Sequence, residues 1–169
     1  MHRDFKPLFA NQMCAEIFGY SNPEEILELE SIQEVFWAPE EQDRIKDYKT
    51  RRMEGDEVPN IIEFHGMHKD GSLFWFESHV TTIDWQGEKA IQAAVIDITE
   101  RKQVEEALQE KNKSISLMEN IAAAANESKN IEETIKTCLD MVCSYTGWPI
   151  GHYYAPANDG TGGLVPSCI

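Results

Sequence analysis

Three strand-like runs in the middle of the chain constrain its fold more than any other feature: IIEFHGMH from Ile61, LFWFESHVTTIDW from Leu73 and KAIQAAVIDI from Lys89. All are rich in β-branched and aromatic residues. Lys69-Asp70-Gly71-Ser72 joins the first two runs, and Gln86-Gly87-Glu88 joins the second to the third. Each connection carries a glycine able to take the positive φ that a tight hairpin demands. Strands joined so closely must be antiparallel neighbours, because a parallel pair needs a long crossover. The runs therefore predict a three-stranded meander.

The segment before the meander has a helical texture, which makes the class α+β. Phe5 to Ala10 reads as a short strand. Met13, Cys14, Ile17 and Phe18 recur at helical spacing, and Gly19 is a suitable stop. Ser21-Asn22-Pro23-Glu24 has capping-box spacing, with Ser21 as the cap of a short helix over Glu24 to Leu29. Pro39 opens a longer helix through EEQDRIKDYKTRRM, and Gly55 closes it.

After Thr99 the pattern changes again. Val104, Leu108, Lys111, Ile115, Met118, Ala122 and Ala125 follow one another at alternating steps of four and three, a heptad seam whose one charged member is Lys111. Its narrow stripe suits a parallel two-stranded coiled coil; an amphipathic helix packed on its own domain is the alternative. The alanines at 122–125 weaken the seam. Asn130 then starts a fresh helix with Ile131, Ile135, Cys138, Leu139, Val142 and Cys143 on its apolar face and Gly147 at its end. IGHYYA, the loop NDGTGG and LVPSCI follow. This helix face and one or two strands have no partner sheet in the sequence, so an incomplete domain is expected.

Composition narrows the function classes. At 169 residues there is room for one ordinary domain and part of another. A net charge of -15 argues against a nucleic-acid partner, and the basic clusters Lys49–Arg52 and Arg101–Lys102 are too short to change that. MHRDFKPLF is too polar for a signal peptide and no apolar run reaches membrane-spanning length, so no membrane contact is expected within this chain and the cytoplasm is the expected compartment. Cys14, Cys138, Cys143 and Cys168 fit neither a zinc spacing nor a small disulfide framework; Cys138 and Cys143 read as small core residues of one helix. His65, His68 and His79 sit on neighbouring strands, but a metal site needs three or four supported ligands, so solvated strand histidines are expected, with a proton-sensing pair as the alternative. No phosphate-cradling loop, nucleophile elbow or paired metal motif occurs, so no enzymatic activity is expected of this chain.

Six pieces in order carry a family resemblance: Asn11 after the first strand, Phe18-Gly19-Tyr20-Ser21, Pro39-Glu40-Glu41-Gln42-Asp43-Arg44, Lys69-Asp70-Gly71-Ser72, Trp75, and Asp97-Ile98-Thr99-Glu100-Arg101-Lys102. Residues 1–102 resemble a PAS domain with its PAC segment. Residues 103–126 look like a signalling helix, and 127–169 resemble the N-terminal portion of a GAF domain, with TGWPIGHYY as its first strand. The resemblance implies a PAS-like antiparallel sheet with helices on one face, a long coiled-coil helix and an incomplete GAF α+β domain. It also implies that the family's central first strand, of the type GIVVID, lies outside this sequence, leaving unpaired edges.

The resemblance further implies a sensory module of a bacterial two-component sensor, homodimeric through the coiled coil, whose longer parent ends in a histidine kinase. A constitutive dimerisation scaffold without ligand and the input region of a diguanylate cyclase or phosphodiesterase remain open. Family members enclose a pocket between sheet and helices, for which Phe9, Asn11, Phe18, Phe36, Ile45, Phe64 and Trp75 are the lining candidates for a small-molecule ligand. The cofactor is unknown. Haem-binding members supply a histidine from the long helix, which here has none between Glu40 and Met53; flavin members supply a cysteine where this chain reads SIQEVFW. Both b-type haem and covalent flavin are disfavoured. The strand-to-helix junction at Asp97, Thr99 and Glu100 is the expected transmission point: Asp97 or Thr99 can cap the helix, and no glycine or proline softens the passage.

Overall fold

The computed structural model describes residues 1–127, 130–156 and 163–167. These divide into two compact units, Met1–Val104 and Glu105–Ile169.

In the first unit the meander forms with the anticipated turns: β3 (Ile61–Met67), β4 (Leu73–Trp85) and β5 (Glu88–Asp97) follow β1 (His2–Arg3) and β2 (Lys6–Pro7) in an antiparallel sheet of order β2-β1-β5-β4-β3. Alternation puts Ile62, Phe64 and Gly66 of β3 and Phe74, Phe76 and Ser78 of β4 on the buried face. Glu63, His65, Trp75 and Glu77 occupy the opposite, half-exposed face.

The strand expected over Phe5 to Ala10 is replaced by a two-residue hairpin. His2 pairs with Pro7 and Arg3 with Lys6, so Asp4 and Phe5 form the turn, both at positive φ (50° and 64°). An aromatic residue rarely adopts that conformation; here burial of Phe5 and its stacking on the His2 ring hold it. The place expected to lack a strand is occupied by β1, which lies between β2 and β5 but meets β5 only at His2–Ile91. From Gln92 onward that side of β5 has no strand partner among the described residues. Phe9, Met13 and Asn11 border the resulting open groove beside Gln92–Val95.

The helices that close the buried face are α1 (Gln12–Ile17), α2 (Pro23–Leu27), α3 (Gln33–Phe36) and α4 (Gln42–Glu54), the last preceded by a 3-10 turn over Pro39–Glu41. The α1 cap is Asn11, whose side chain accepts from Cys14 N at 2.9 Å. The α2 cap is Asn22 rather than Ser21: its Oδ1 accepts from Glu25 N at 3.0 Å, so the capping-box spacing runs from Asn22 to Glu25, with Pro23 in the first helical turn. Gly55 ends α4 in the left-handed conformation (φ 93°). The short α3 had no periodic signal, being only four residues long.

Phe18, Phe36, Phe64, Phe74 and Phe76 form the centre of the core, with Phe18 stacked on Phe36 at 3.8 Å between centroids. Trp37 joins them edge-on to Phe64. Its position is set by Gln42, whose amide donates to Trp37 O (2.9 Å) and Gln33 O (3.0 Å).

A single helix, α5 (Thr99–Glu127), continues from β5 and crosses the division between units. The second unit also contains α6 (Ile131–Thr146), capped by Asn130 and ended by left-handed Gly147, and the antiparallel pair β6 (Tyr153–Pro156) and β7 (Leu164–Ser167). Cys138 and Cys143 are half-buried on α6 and carry no disulfide, and Tyr145 Oη hydrogen-bonds Glu110 of α5 at 2.6 Å. Most of the loop NDGTGG, and Cys168, lie outside the described residues.

Candidate functional site

Two features of the first unit bear on function: a cavity inside it, and the docking of the start of α5 on its sheet.

The cavity, of about 70 Å³, lies between the buried face and the helices, with Phe18, Phe36, Ile45 and Phe64 in its wall together with Phe5, Trp37 and Phe76. The other three candidates are elsewhere. Phe9 is 51 % exposed and, with Asn11, borders the open groove, because the β1–β2 hairpin carries the following residues outward. Trp75 is on the opposite face, one alternation step from Phe74 and Phe76. Sequence reasoning missed the polar part of the wall, His2, Ser78, Lys49 and Arg52. Ser78 was legible in principle: it holds the same phase as Phe74 and Phe76, so a hydroxyl had to face the core.

His2 is neutral at ordinary pH. Burial pushes its pKa down to about 4, and the nearby N-terminal ammonium and Lys49 add to the shift against a weaker opposing effect of Asp4. Its Nδ1 accepts from Phe5 N at 3.3 Å, which puts the imidazole proton on Nε2. Trp37 Nε1 is the buried side-chain polar atom left without a hydrogen-bond partner among the described residues. Lys49 is paired with Asp4, and Arg52 donates to Asn60 and to the Pro59 carbonyl.

The second feature follows from strand register. Glu63 stands directly opposite Glu77 across β3 and β4, as His65 does opposite Trp75. Two carboxylates so placed repel unless a cation lies between them. The first turn of α5 supplies it: Arg101 Nη2 is 2.8 Å from Glu63 and 3.2 Å from Glu77, and Lys102 Nζ is 2.6 Å from Glu63. Hydrogen bonding by Lys102, then the charges of Lys102 and Arg101, hold the Glu63 carboxyl below its ordinary range. The Lys102 ammonium also lies 5.2 Å above the Trp75 ring.

Beneath these side chains the backbone is tied as well. Ile98 N donates to Trp75 O (2.9 Å), Trp75 N donates to Thr99 Oγ1 (3.0 Å), and Thr99 N donates to Asp97 Oδ1 (2.8 Å). Asp97 therefore caps the helix, while the Thr99 hydroxyl joins it to the sheet. Glu100 is exposed. Glu63 and Glu77 were not anticipated, although the Lys69–Ser72 turn length sets their register.

Along α5, Val104, Leu108, Ile115 and Met118 are 45–66 % exposed, and Lys111 is exposed with them. His65 stacks on Trp75, His68 on Phe74, and His79 meets Glu77; no metal-holding cluster occurs among the described residues. No described helix is long and apolar enough to cross a membrane.

The comparisons with known proteins agree with this architecture. The family model described as "PAS domain" matches residues 3–100. A crystal structure of a sensory box histidine kinase/response regulator from Burkholderia thailandensis E264 is similar with a TM-score of 0.51 at 19% identity, covering 68% of this chain and 86% of that one. At that identity the likeness concerns the fold. No curated protein matches the chain.

Proposed function

The chain belongs to the PAS domain family, sensor domains of signal transduction, and from that premise we propose that it is the input and transmission module of a bacterial two-component sensor. The cavity registers a small ligand, a redox change or a partner. The clamp of Thr99, Arg101 and Lys102 on β3 and β4 passes the resulting shift to α5. Two copies of α5 run parallel, in contact through Val104, Leu108, Lys111, Ile115 and Met118, and the segment from Asn130 begins a GAF domain leading to an output such as a histidine kinase. The compartment is the cytoplasm.

The observation that carries this reading is the clamp itself. The output helix is not linked to the sheet by a loose tether; its first turn is bonded to both strands that line the cavity, through backbone and side chain together. A displacement of β3 or β4 would reach the start of α5 through these bonds, a contiguous network of the kind that carries coupling between sites.

A ligand-free dimerisation scaffold is the second reading, and the tight aromatic filling of the core favours it. The two separate under one experiment. Leu108 is changed to cysteine, and disulfide cross-linking between copies is followed with and without small metabolites that raise the melting temperature. A ligand-dependent cross-linking rate supports the sensor. Efficient cross-linking that no stabilising metabolite alters supports the scaffold, and no cross-linking removes the paired helix.

A further inference from the structure

Glu77 serves two partners at once. Its Oε2 is 3.2 Å from Arg101 of α5, and its Oε1 is 2.6 Å from Nε2 of His79, two residues along β4. Beside a carboxylate, Nε2 bears the proton of the neutral imidazole, so a second proton is taken up at Nδ1. Nδ1 of His79 has no hydrogen-bond partner among the described residues. Protonation therefore adds no bond within the protein. It turns a neutral donor into a cation that faces the same carboxylate as Arg101.

Few other charges bear on this ring. The residues paired with His79 across the sheet are Ile61 of β3 and Ala94 of β5, both uncharged. From α5 come Arg101 and, bound to Glu63, Lys102. On its own strand the charged neighbour is Glu77, with Glu63 opposite that residue on β3. While His79 is neutral, two carboxylates face two cations and the cluster is balanced. A proton on His79 leaves one positive charge in excess.

Arg101 is the member placed to yield. Its side chain is 54 % exposed against 20 % for Glu77, and its contact with Glu77 is longer than the 2.8 Å contact with Glu63. An imidazolium repels the guanidinium and shares the charge of Glu77, while water is at hand to solvate the guanidinium. By linkage, proton and guanidinium each weaken the other's hold on that carboxylate. Histidine is also the side chain whose charge changes near neutrality. Resting on the reading of the clamp as the point of transmission, we propose that His79 is a proton-operated release: once protonated, it loosens the hold of Arg101 on β4 and with it the docking of α5.

The test follows the Trp75 amide, whose bond to Thr99 Oγ1 reports docking of the first turn. Its hydrogen-exchange protection factor, corrected for the intrinsic pH dependence of exchange, is measured by NMR on the full chain. The conditions are about pH 8 and about pH 5, the two ends of the range in which histidine titrates. The comparison is with His79→Gln, which keeps an N–H donor for Glu77 and cannot take the charge. Other titrating groups, His2 among them, are present in both chains, so the difference between the chains isolates His79. Equal protection is expected at the higher pH. At the lower pH the parent should be about two- to fivefold less protected than the variant, the size of one partly exposed ion pair. Equal protection at both pH values, or a parent better protected at the lower one, overturns the release and leaves the clamp standing. Reduced protection in His79→Gln already at the higher pH makes His79 a structural support and also overturns it. A Trp75 amide unprotected in both chains overturns the clamp as well.

Discussion

Thr99 and Trp75 hold the start of α5 to the sheet: the Thr99 hydroxyl oxygen lies 3.0 Å from Trp75 N and accepts its hydrogen bond, while Trp75 O accepts from Ile98 N. Trp75 thus bonds to the strand-to-helix junction through both its main-chain groups. The neighbouring Asp97 carboxylate caps the helix through Thr99 N, so cap and dock use different side chains. Asp97→Ala should cost about 1 kcal/mol as a lost cap, measured by urea denaturation, and it should leave the Trp75 amide as protected from hydrogen exchange as before. Loss of that protection would show that cap and dock are one device.

Gly66 is closed to any side chain. A Cβ built on it would stand 2.6 Å from Phe74 Cε1 and 2.7 Å from Phe76 Cδ1, both on the neighbouring strand and both core rings. Gly66→Ala should destabilise the protein by about 1–3 kcal/mol through overpacking, and a melting temperature within one degree of the parent would contradict the packing described here.

His2 gives the fold a pH dependence of defined sign. Its folded pKa is about 4, below the unfolded value of about 6.5. The unfolded chain therefore binds the extra proton first as pH falls, so stability is full above about pH 6.5, declines through the interval, and levels off below about pH 4 as far as this group is concerned. The difference amounts to about 3 kcal/mol. His2→Asn, which retains an acceptor for Phe5 N, should flatten the melting temperature between pH 6.5 and 4.5. An unchanged slope in that variant would assign the dependence to other groups.

The heptad face of α5 is exposed along Val104, Leu108, Ile115 and Met118. Changing Leu108 and Ile115 together to glutamine should convert a dimer to a monomer in sedimentation velocity, with the first unit's melting little altered. A dimer that persisted would locate the contact elsewhere.

Much of this was readable from residues alone, for identifiable reasons. β4 and β5 declare themselves by long β-branched and aromatic runs between glycine turns, and α4 by Pro39 and Gly55, so local propensity and tertiary fold agree there. The β1–β2 hairpin was hidden because Asp4 and Phe5 adopt positive φ without glycine, a choice enforced by packing against His2 and not by propensity. The cap of α2 was misplaced by one residue because Ser21 and Asn22 are both good caps and only geometry distinguishes them. Of the expected pocket residues, Phe18, Phe36, Ile45 and Phe64 stand at core-facing positions and line the cavity, whereas Phe9 and Asn11 border the open groove and Trp75 alternates onto the opposite face. Arg101 and Lys102 looked like an idle basic pair until the register of β3 and β4 placed two carboxylates face to face beside them.

In the proposed function the sheet controls a pair of α5 helices through the Thr99 dock. This control is tested most directly by spin-label distance measurement between copies, with labels at Leu108, in the parent chain and in Thr99→Val, which removes the acceptor of the Trp75 amide while keeping the side-chain shape. A single narrow distance between copies is expected in the parent and a shifted or broadened one in Thr99→Val, with both remaining dimeric. Identical distributions in the two, or no distance between copies at all, would contradict it.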